Sequence, residues 1–286
     1  MPEDVTINQT APIARKRVAM SQPRARGTGM LSVRADGAGV TRIADLRQSG
    51  STKLVFPRVF RPEAEAILVN TAGGITGGDR FDLKVQVQEN AALTVTTQAA
   101  ERAYRAQPGE TGELTTSLRV EPGARLNWLP QELILFDRAA LRRRLDVTLA
   151  NGARFLMVEP LVFGRAAMGE TLRDIHFSDR IRIRRDGVPI YLDGMDLEGD
   201  AAQMLSAAAT AGGAGAMASL VLVDPQAAGH LDRLRRAMPG TGGVSLLRDD
   251  LLVMRLLASD SLALRRTLVP VLDHLTQNTL PTSWRL

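Results

Sequence analysis

Five carboxylates that stand among apolar or glycine-rich neighbours are the side chains of this sequence most able to do chemistry. They are Asp79, Glu132, Asp137, Glu159 and Glu170. A carboxylate in an apolar environment needs a partner of opposite charge, or burial raises its pKa. One interpretation is that arginines such as Arg138, Arg143 and Arg165 neutralise these acids inside the core. The other interpretation is that the acids act on a ligand.

Paired carboxylates are the catalytic groups of most glycoside hydrolases, so a β-rich carbohydrate-active hydrolase is one candidate function. The sequence is poor in the aromatic side chains that would stack on sugar rings, since Phe, Trp and Tyr make up only 4% of it. It also lacks the pattern Gly-x-Ser-x-Gly, which would indicate a serine nucleophile. A hydrolase that uses a carboxylate pair is therefore kept as the alternative function.

The sequence has no cysteine, and its three histidines, His176, His230 and His274, are far apart without metal-binding spacing. Disulfides and thiolate metal sites are therefore excluded, and a tight structural site for a transition metal is not expected. We accordingly expect no tightly bound cofactor. The absence of cysteine fits a reducing compartment, which favours a cytoplasmic protein.

The formal net charge is +5, and almost all of the positive charge is arginine. Residues 1–28 hold part of this excess in a stretch without periodicity, which predicts a disordered basic tail. The remainder is nearly balanced, so nucleic-acid binding is not expected. The arginine runs within 142–144 and 182–185 indicate solvated faces, or docking to an acidic protein. No apolar run reaches the length of a membrane span, so we expect no membrane contact.

A glycine-rich loop at 73–78 carries two glycine pairs between an apolar run at 67–69 and a segment of period two at 81–88. The alternation after the loop is typical of a half-buried strand. Nucleotide-binding glycine loops open a helix, and the triphosphate version continues with Lys-Ser or Lys-Thr. The loop is therefore interpreted as a tight turn between two packed strands.

Three turn sequences repeat at a spacing of about thirty residues, and alternating strands flank each one. They begin at Asn90, Gly123 and Gly152, and each continues with Ala-x-apolar. A repeat at this period favours stacked hairpin units over a Greek-key sandwich. A further hairpin is predicted around the Asp186-Gly187 turn. The sequence therefore predicts a mainly β fold built from stacked hairpins.

The composition shifts after residue 200, which predicts a small α/β part at the C-terminal end of the chain. A short helix is predicted over 201–210 and a second over 226–238. The last helix has leucines at 264, 268, 272 and 275, and Ser259 or Asp260 is placed to cap its start. No linker separates two domains, so residues 29–286 are predicted to form a single domain.

Four segments in this order resemble the UreD-type urease accessory proteins, which are called UreH in some systems. The segments are NTAGGITGGDRFDL at 70–83, TTQAAERAYR at 96–105, WLPQE with FD at 128–137, and FGRAAMGE at 163–170. The region 251–258 and the final helix are similar to this family too. The resemblance covers roughly residues 30–284 and implies a β-rich, partly β-helix-like stack of strands with a few helices.

The resemblance also implies a role. Proteins of this family are non-enzymatic maturation factors that act as a scaffold and metallochaperone for nickel insertion into apo-urease. They bind the urease apoprotein and the F-type accessory protein, and through it they recruit the GTP-hydrolysing G-type accessory protein. The resemblance further implies that nickel passes through an internal channel of the protein. Ni²⁺ is therefore expected in transit rather than as a resident cofactor.

Such a channel would give the five acids a task. Oxygen ligands hold Ni²⁺ less tenaciously than thiolates or several imidazoles do, which suits a metal that must leave again. Our hypothesis is that Asp79, Glu132, Asp137, Glu159 and Glu170 line or flank the nickel path. Arg80, Arg105 and Arg165 would balance their charge.

Overall fold

A computed structural model describes residues 22–285 of the chain, which form seventeen strands and three α-helices. The first eight strands are β1 (Arg26–Ala35), β2 (Thr41–Gly50), β3 (Thr52–Val55), β4 (Ala64–Asn70), β5 (Arg80–Val87), β6 (Ala92–Thr97), β7 (Glu101–Ala103) and β8 (Gly112–Val120). Next come β9 (Arg125–Leu129), β10 (Leu133–Leu135), β11 (Ala140–Leu149), β12 (Arg154–Phe163), β13 (Ile175–Arg185), β14 (Val188–Gly199) and α1 (Ala201–Ser206). The last elements are β15 (Ala216–Val223), α2 (Ala227–Ala237), β16 (Gly242–Arg248), β17 (Leu251–Ala258) and α3 (Ser261–Leu275). The prediction of a mainly β protein with a few C-terminal helices is confirmed.

The strands form two sheets. The seven-stranded sheet has the order β14-β13-β11-β8-β5-β1-β2, and the ten-stranded sheet has β16-β17-β15-β12-β9-β6-β4-β3 along its main path. Strands β7 and β10 pair with each other, and β10 also pairs with β12. Five neighbours in the first sheet, β1, β5, β8, β11 and β13, pair in parallel, as do β4, β6, β9 and β12 in the second.

The repeating units are arches rather than the predicted hairpins. Strands β5 and β6 follow each other in the chain but lie in different sheets, and so do β8 and β9, and β11 and β12. Each strand pairs in parallel with its equivalent one turn later, which makes the body a two-sheet β-solenoid. The predicted hairpin at Asp186-Gly187 is confirmed, because β13 and β14 pair antiparallel.

The three repeated turns stack directly on one another. The Arg125 N–H donates to the Ala91 carbonyl, and the Arg154 N–H donates to the Ala124 carbonyl, both at 2.9 Å. Gly123 has a φ of +68°, a left-handed conformation that residues with a Cβ resist. The thirty-residue repeat in the sequence is therefore the repeat of the solenoid.

The connections divide the solenoid into two ends. One end, called the turn end here, holds the short turns at 88–91, 121–124, 150–153 and 186–187. The opposite end, called the loop end, holds the longer connections at 71–79, 98–111, 130–139 and 164–174. Much of each family-like segment that the sequence singled out lies at the loop end.

The core is aliphatic and has its main layer between the two sheets. Val85, Leu118, Val147 and Ile183 occupy neighbouring register positions of the seven-stranded sheet and are all buried. A second cluster lies between the ten-stranded sheet and the helices α2 and α3, with Leu268 among its members. The Asp260 side chain caps α3 by accepting a hydrogen bond from the Ala263 N–H at 2.8 Å, as the sequence indicated.

The predicted boundary between tail and domain needs a correction. Residues 1–21 of the predicted disordered tail lie outside the described residues, but β1 already begins at Arg26, three residues before residue 29. Gly27 lies so close to Thr52 and Phe81 that a Cβ there would meet their side chains. The strand pattern was hidden in the sequence because two residues of this region are glycines. They lie where neighbouring side chains leave little room for a Cβ.

Candidate functional site at the loop end and in the interior

The glycine-rich loop is packed against the segment 102–105 at the loop end. The Tyr104 N–H donates to the Ile75 carbonyl at 2.7 Å, and the Tyr104 hydroxyl donates to the Gly73 carbonyl at 3.2 Å. A Cβ on Gly74 would lie 2.1 Å from the Tyr104 ring, so only glycine fits there. The predicted tight turn between strands is confirmed, and Gly74 and Gly77 allow its close packing.

Aromatic and charged contacts join the glycine-rich loop and the segment 102–105 to the other two family-like segments, which are 128–137 and 163–170. The Tyr104 ring meets the Phe136 ring edge to face, with centroids 4.9 Å apart. The guanidinium of Arg165 lies 4.2 Å from the Phe136 ring centroid, a cation–π distance. Arg165 also binds Glu170 through two nitrogens, at 2.8 and 2.9 Å. All four family-like segments therefore meet in one continuous set of contacts.

Two of the five predicted acids belong to this set. One Glu170 oxygen accepts from the Asp137 N–H at 3.3 Å, and the hydrogen bond from Arg165 holds the pKa of Glu170 below its usual value. The Asp137 carboxylate accepts the N–H groups of Arg173 and Asp174 at 2.7 and 3.1 Å. Both acids organise the loop 164–174 in this structure.

A third predicted acid, Glu159, lies in a charged network between the two sheets. Arg143 donates from two nitrogens to Asp179 at 2.9 and 2.6 Å, and from a third nitrogen to Glu159 at 2.6 Å. The indole N–H of Trp128 donates to the other Glu159 oxygen at 2.7 Å. The three charged residues are buried, and we refer to Arg143, Glu159 and Asp179 as the buried triad.

The buried triad holds two carboxylates against one guanidinium, so its charges do not cancel. Burial raises the pKa of Glu159, the charge of Asp179 raises it further, and Arg143 and Trp128 oppose the rise. Burial alone would lower the pKa of Arg143, but its two carboxylate partners outweigh burial and raise it. Arg143 therefore stays charged, and the pKa of Glu159 lies above its ordinary value.

A pocket of about 180 Å³ opens between strands of both sheets and contains an acid that sequence reasoning missed. Glu101 lines this pocket and accepts hydrogen bonds from the Asn70 side chain and the Arg102 N–H, both at 3.0 Å. Burial raises the pKa of Glu101, and these two hydrogen bonds oppose the rise only in part. The Glu101 N–H also bonds the Glu132 carbonyl at 2.8 Å, which links this pocket to a fourth predicted acid.

The last two predicted acids lie apart from the triad. Glu132 is buried and reaches α3, with the Ser261 hydroxyl at 3.1 Å and an Arg265 nitrogen at 3.5 Å. Asp79 is buried at the end of the glycine loop and accepts the N–H groups of Ala25 and Thr76 at 2.7 and 2.8 Å.

The structure thus brings Asp137 and Glu170 together and leaves the other three predicted acids at separate places. Within residues 22–285, no group of three His, Cys, Asp or Glu residues is arranged to hold a metal ion. Arginines form ion pairs with Glu170 and Glu159, as one interpretation of the sequence held, and Arg138 lies 3.8 Å from Asp137. Whether these acids contact nickel in passage stays a prediction.

Strand parity is the sequence signal that would have revealed the rest of the buried triad. Arg143 and Asp179 occupy positions whose neighbours two residues away, such as Leu145 and Ile181, face the core. A charged residue on the inward parity of a strand must be buried. Glu101 is half-buried and offers no such signal, because its partial burial depends on the loops around it.

The fold and these contacts define a two-sheet β-solenoid with a buried charged triad between its sheets and a joined set of long loops at one end. The family model described as UreD urease accessory protein matches residues 25–285. Because this match covers most of the chain, the protein belongs to the UreD family.

Several proteins named urease accessory protein UreD are similar to the chain over most of its length. The protein from Roseobacter denitrificans is 55% identical over 274 residues, which span 96% of this chain and 100% of that protein. The protein from Rhizobium rhizogenes is 46% identical across 92% of this chain and 96% of its own length. One named UreD 1 from Brucella melitensis is 45% identical, covering 93% of this chain and 96% of that protein.

In the part of the chain that the structure describes, no helix combines the length and the apolar character needed to cross a membrane.

Replacing Arg143 with Met is expected to destabilise the protein by about 3–5 kcal/mol, because both carboxylates of the buried triad lose their counter-charge. Urea-induced unfolding, followed by circular dichroism at pH 7, measures this change in the free energy of unfolding. The matched control is Arg144→Met on the same strand, where the side chain is exposed. That control should change the free energy by no more than about 0.5 kcal/mol. Equal effects of the two substitutions would show that the triad is not buried as described.

The penalty of Arg143→Met should depend on pH. A carboxyl group with a raised pKa binds more protons in the folded state, so its contribution to stability is lost as pH rises through the folded pKa. Removing Arg143 raises the pKa of Glu159 further, because Arg143 is what lowers it. The penalty should therefore be smaller at pH 5 than at pH 7, in unfolding curves of both proteins at each pH. A penalty that grew in acid would contradict this assignment.

Proposed function

We propose that this protein is a non-enzymatic scaffold and metallochaperone that is required for nickel insertion into apo-urease in the cytoplasm. In this role it bridges the urease apoprotein to the F-type accessory protein and, through that protein, to the G-type GTPase. Membership of the UreD family carries the proposal, since the relatives are named urease accessory proteins. The contacts at the loop end support it, because four separate segments converge there on one surface.

An exposed methionine supports the proposal that partners bind at the loop end. Met168 is 73% exposed in the short 3₁₀ turn 166–168, next to Arg165 and its contact with Phe136. Methionine and arginine are enriched at protein–protein interfaces, where an exposed apolar side chain beside an aromatic ring can anchor a partner. The rigid contacts beneath this turn would present Met168 in a fixed position.

The interior carboxylates support the nickel part of the proposal. Strands of both sheets line the pocket with Glu101 and the narrower pocket with Glu159 and Asp179. Oxygen ligands bind Ni²⁺ weakly enough for release, and isolated carboxylates bind it more weakly than a cluster would. Acids spread over several places, with Asp137 and Glu170 sharing one of them, suit successive short stops of a metal in passage. The predicted stops are Asp79, Glu132, Asp137, Glu159 and Glu170.

The alternative of a carbohydrate-active hydrolase gains no support from the geometry. Trp128 and Trp284 are both buried, so neither tryptophan is available to stack on a sugar ring. Arg143 occupies the carboxylates of Glu159 and Asp179, one of the places where two acids lie close together. A nucleophile or general acid there would first have to leave its ion pair.

Partner capture tests the scaffold proposal. The chain, carrying a small affinity tag, is co-expressed with the urease subunits and the F-type accessory protein, and the captured partners are quantified on gels. We expect both partners to be captured, and Met168→Asp to weaken capture about tenfold, in the range of an interface anchor. The matched control Leu262→Asp replaces a side chain that is 61% exposed at the start of α3, and it should leave capture unchanged. Absence of both partners from the captured wild-type protein would overturn the scaffold role.

Glu132→Gln tests the nickel path. The substitution keeps the shape of the side chain and its contact with Ser261 but removes the negative charge, so nickel delivery should fall several-fold. Urease activity per urease protein in cells that express the accessory proteins measures this. The control Glu198→Gln removes an exposed charge on the edge strand β14. Equal urease activity with both variants, at equal protein levels, would remove Glu132 from the path.

A further inference from the structure

Two of the three histidines meet on the surface formed by α2 and α3. His230 lies in the first half of α2 and His274 in the last turn of α3, and 44 residues separate them in sequence. Nδ1 of His230 lies 3.0 Å from Nε2 of His274. The ring centroids are 5.0 Å apart, and the ring planes are inclined by 78°. The sequence showed no metal-binding spacing because the two residues belong to different helices.

The surroundings leave both imidazoles accessible and favour the neutral form of His274. Both residues are partly buried, so each presents one side to solvent. Burial lowers the pKa of His274, and the nearby charge of Arg233 lowers it further. A neutral imidazole is the form that binds a metal, because its lone pair is free.

The separation of the two nitrogens fits metal coordination. A bond from imidazole nitrogen to a divalent metal is about 2.1 Å long, so two ligands at a right angle lie about 3.0 Å apart. Right-angle neighbours are the geometry of octahedral or square-planar sites, whereas tetrahedral ligands would lie about 3.4 Å apart at the same bond length. At this distance the two nitrogens share a hydrogen bond, so one of them carries a proton. Metal binding requires that ring to move its proton to its other nitrogen, and a small rotation of both rings would then turn the two lone pairs toward a shared ion.

Imidazole ligands favour the later metals of the first transition row, with affinity rising from cobalt through nickel to copper. No third His, Cys, Asp or Glu completes a cluster here among residues 22–285. Water would fill the remaining positions, and the charge of Arg233 would oppose the cation. Both features make the site one of reversible exchange rather than of permanent storage.

We propose that His230 and His274 together bind one late first-row divalent metal ion, such as Ni²⁺, on the α2–α3 surface. The site lies outside the solenoid interior and is separate from the five acids considered above. It requires only the two imidazoles, so it does not rest on the proposed scaffold role. Its chemistry is that of an exchangeable surface site from which another ligand could take the metal.

Calorimetric titration of the full-length chain with Ni²⁺ alone tests the proposal. The protein must carry no polyhistidine tag, because the three native histidines are then the only imidazoles. His230→Ala and His274→Ala should each weaken the binding event by at least about tenfold, the lower bound for losing even an outer partner of a metal ligand. His176→Ala is the matched control, since His176 is an exposed residue of β13, and it should leave the affinity unchanged.

A second measurement on the unmodified protein guards against variants that disturb the packing of α2 on α3. The wild-type chain has three histidine ring signals in its proton NMR spectrum. Substoichiometric Ni²⁺, which is paramagnetic, should broaden the signals of His230 and His274 well before that of His176. Equal broadening of all three signals, or unchanged affinity in both alanine variants, would overturn the proposal. Either result would leave the scaffold role intact, because partner capture tests that role separately.

Discussion

Parallel stacking of arches in register is the constraint on which the other features of this protein depend. The five parallel strands of the seven-stranded sheet lie side by side in register, so residues of the same parity share a face along this stack. Val85, Leu118, Val147 and Ile183 form one such apolar row. The same register places Arg143 directly beside Asp179. A shift by one residue would turn both rows outward, so the apolar rows and the buried charges specify the same register.

The buried triad specifies how the two sheets face each other more than it stabilises the fold. An ion pair taken out of water gains little over a well-packed apolar replacement, because desolvation offsets the attraction between the charges. Removing a single member is costly, however, since the remaining charges are left without a partner. Arg143 joins neighbouring strands of one sheet to Glu159 of the other sheet, so it fixes how the two sheets face each other. The raised pKa of Glu159 follows from the same burial.

The two ends of the solenoid differ in structure because their connections differ in length. The short turns stack through backbone hydrogen bonds, and they maintain the repeat. The long connections have room for side chains such as Tyr104, Phe136 and Arg165, which join the four motifs into one surface. Such a surface suits recognition, since a rigid set of strands holds it from beneath. The histidine pair lies on the helical layer, away from this surface in the fold.

The sequence by itself determined the class of the fold, the family and most of the strands, because alternation, turn residues and a thirty-residue echo are local patterns. It also indicated the capped final helix and the arginine pairing of Glu159 and Glu170. Parity could have added Asp179, since an acid between Phe177 and Ile181 stands on the inward side of its strand. The tertiary structure alone decided that the repeats are arches, that Glu101 lies half-buried in a pocket and that His230 meets His274. These features depend on which distant segments become neighbours. A contact between residues that are tens of positions apart does not show in the local sequence pattern of either segment.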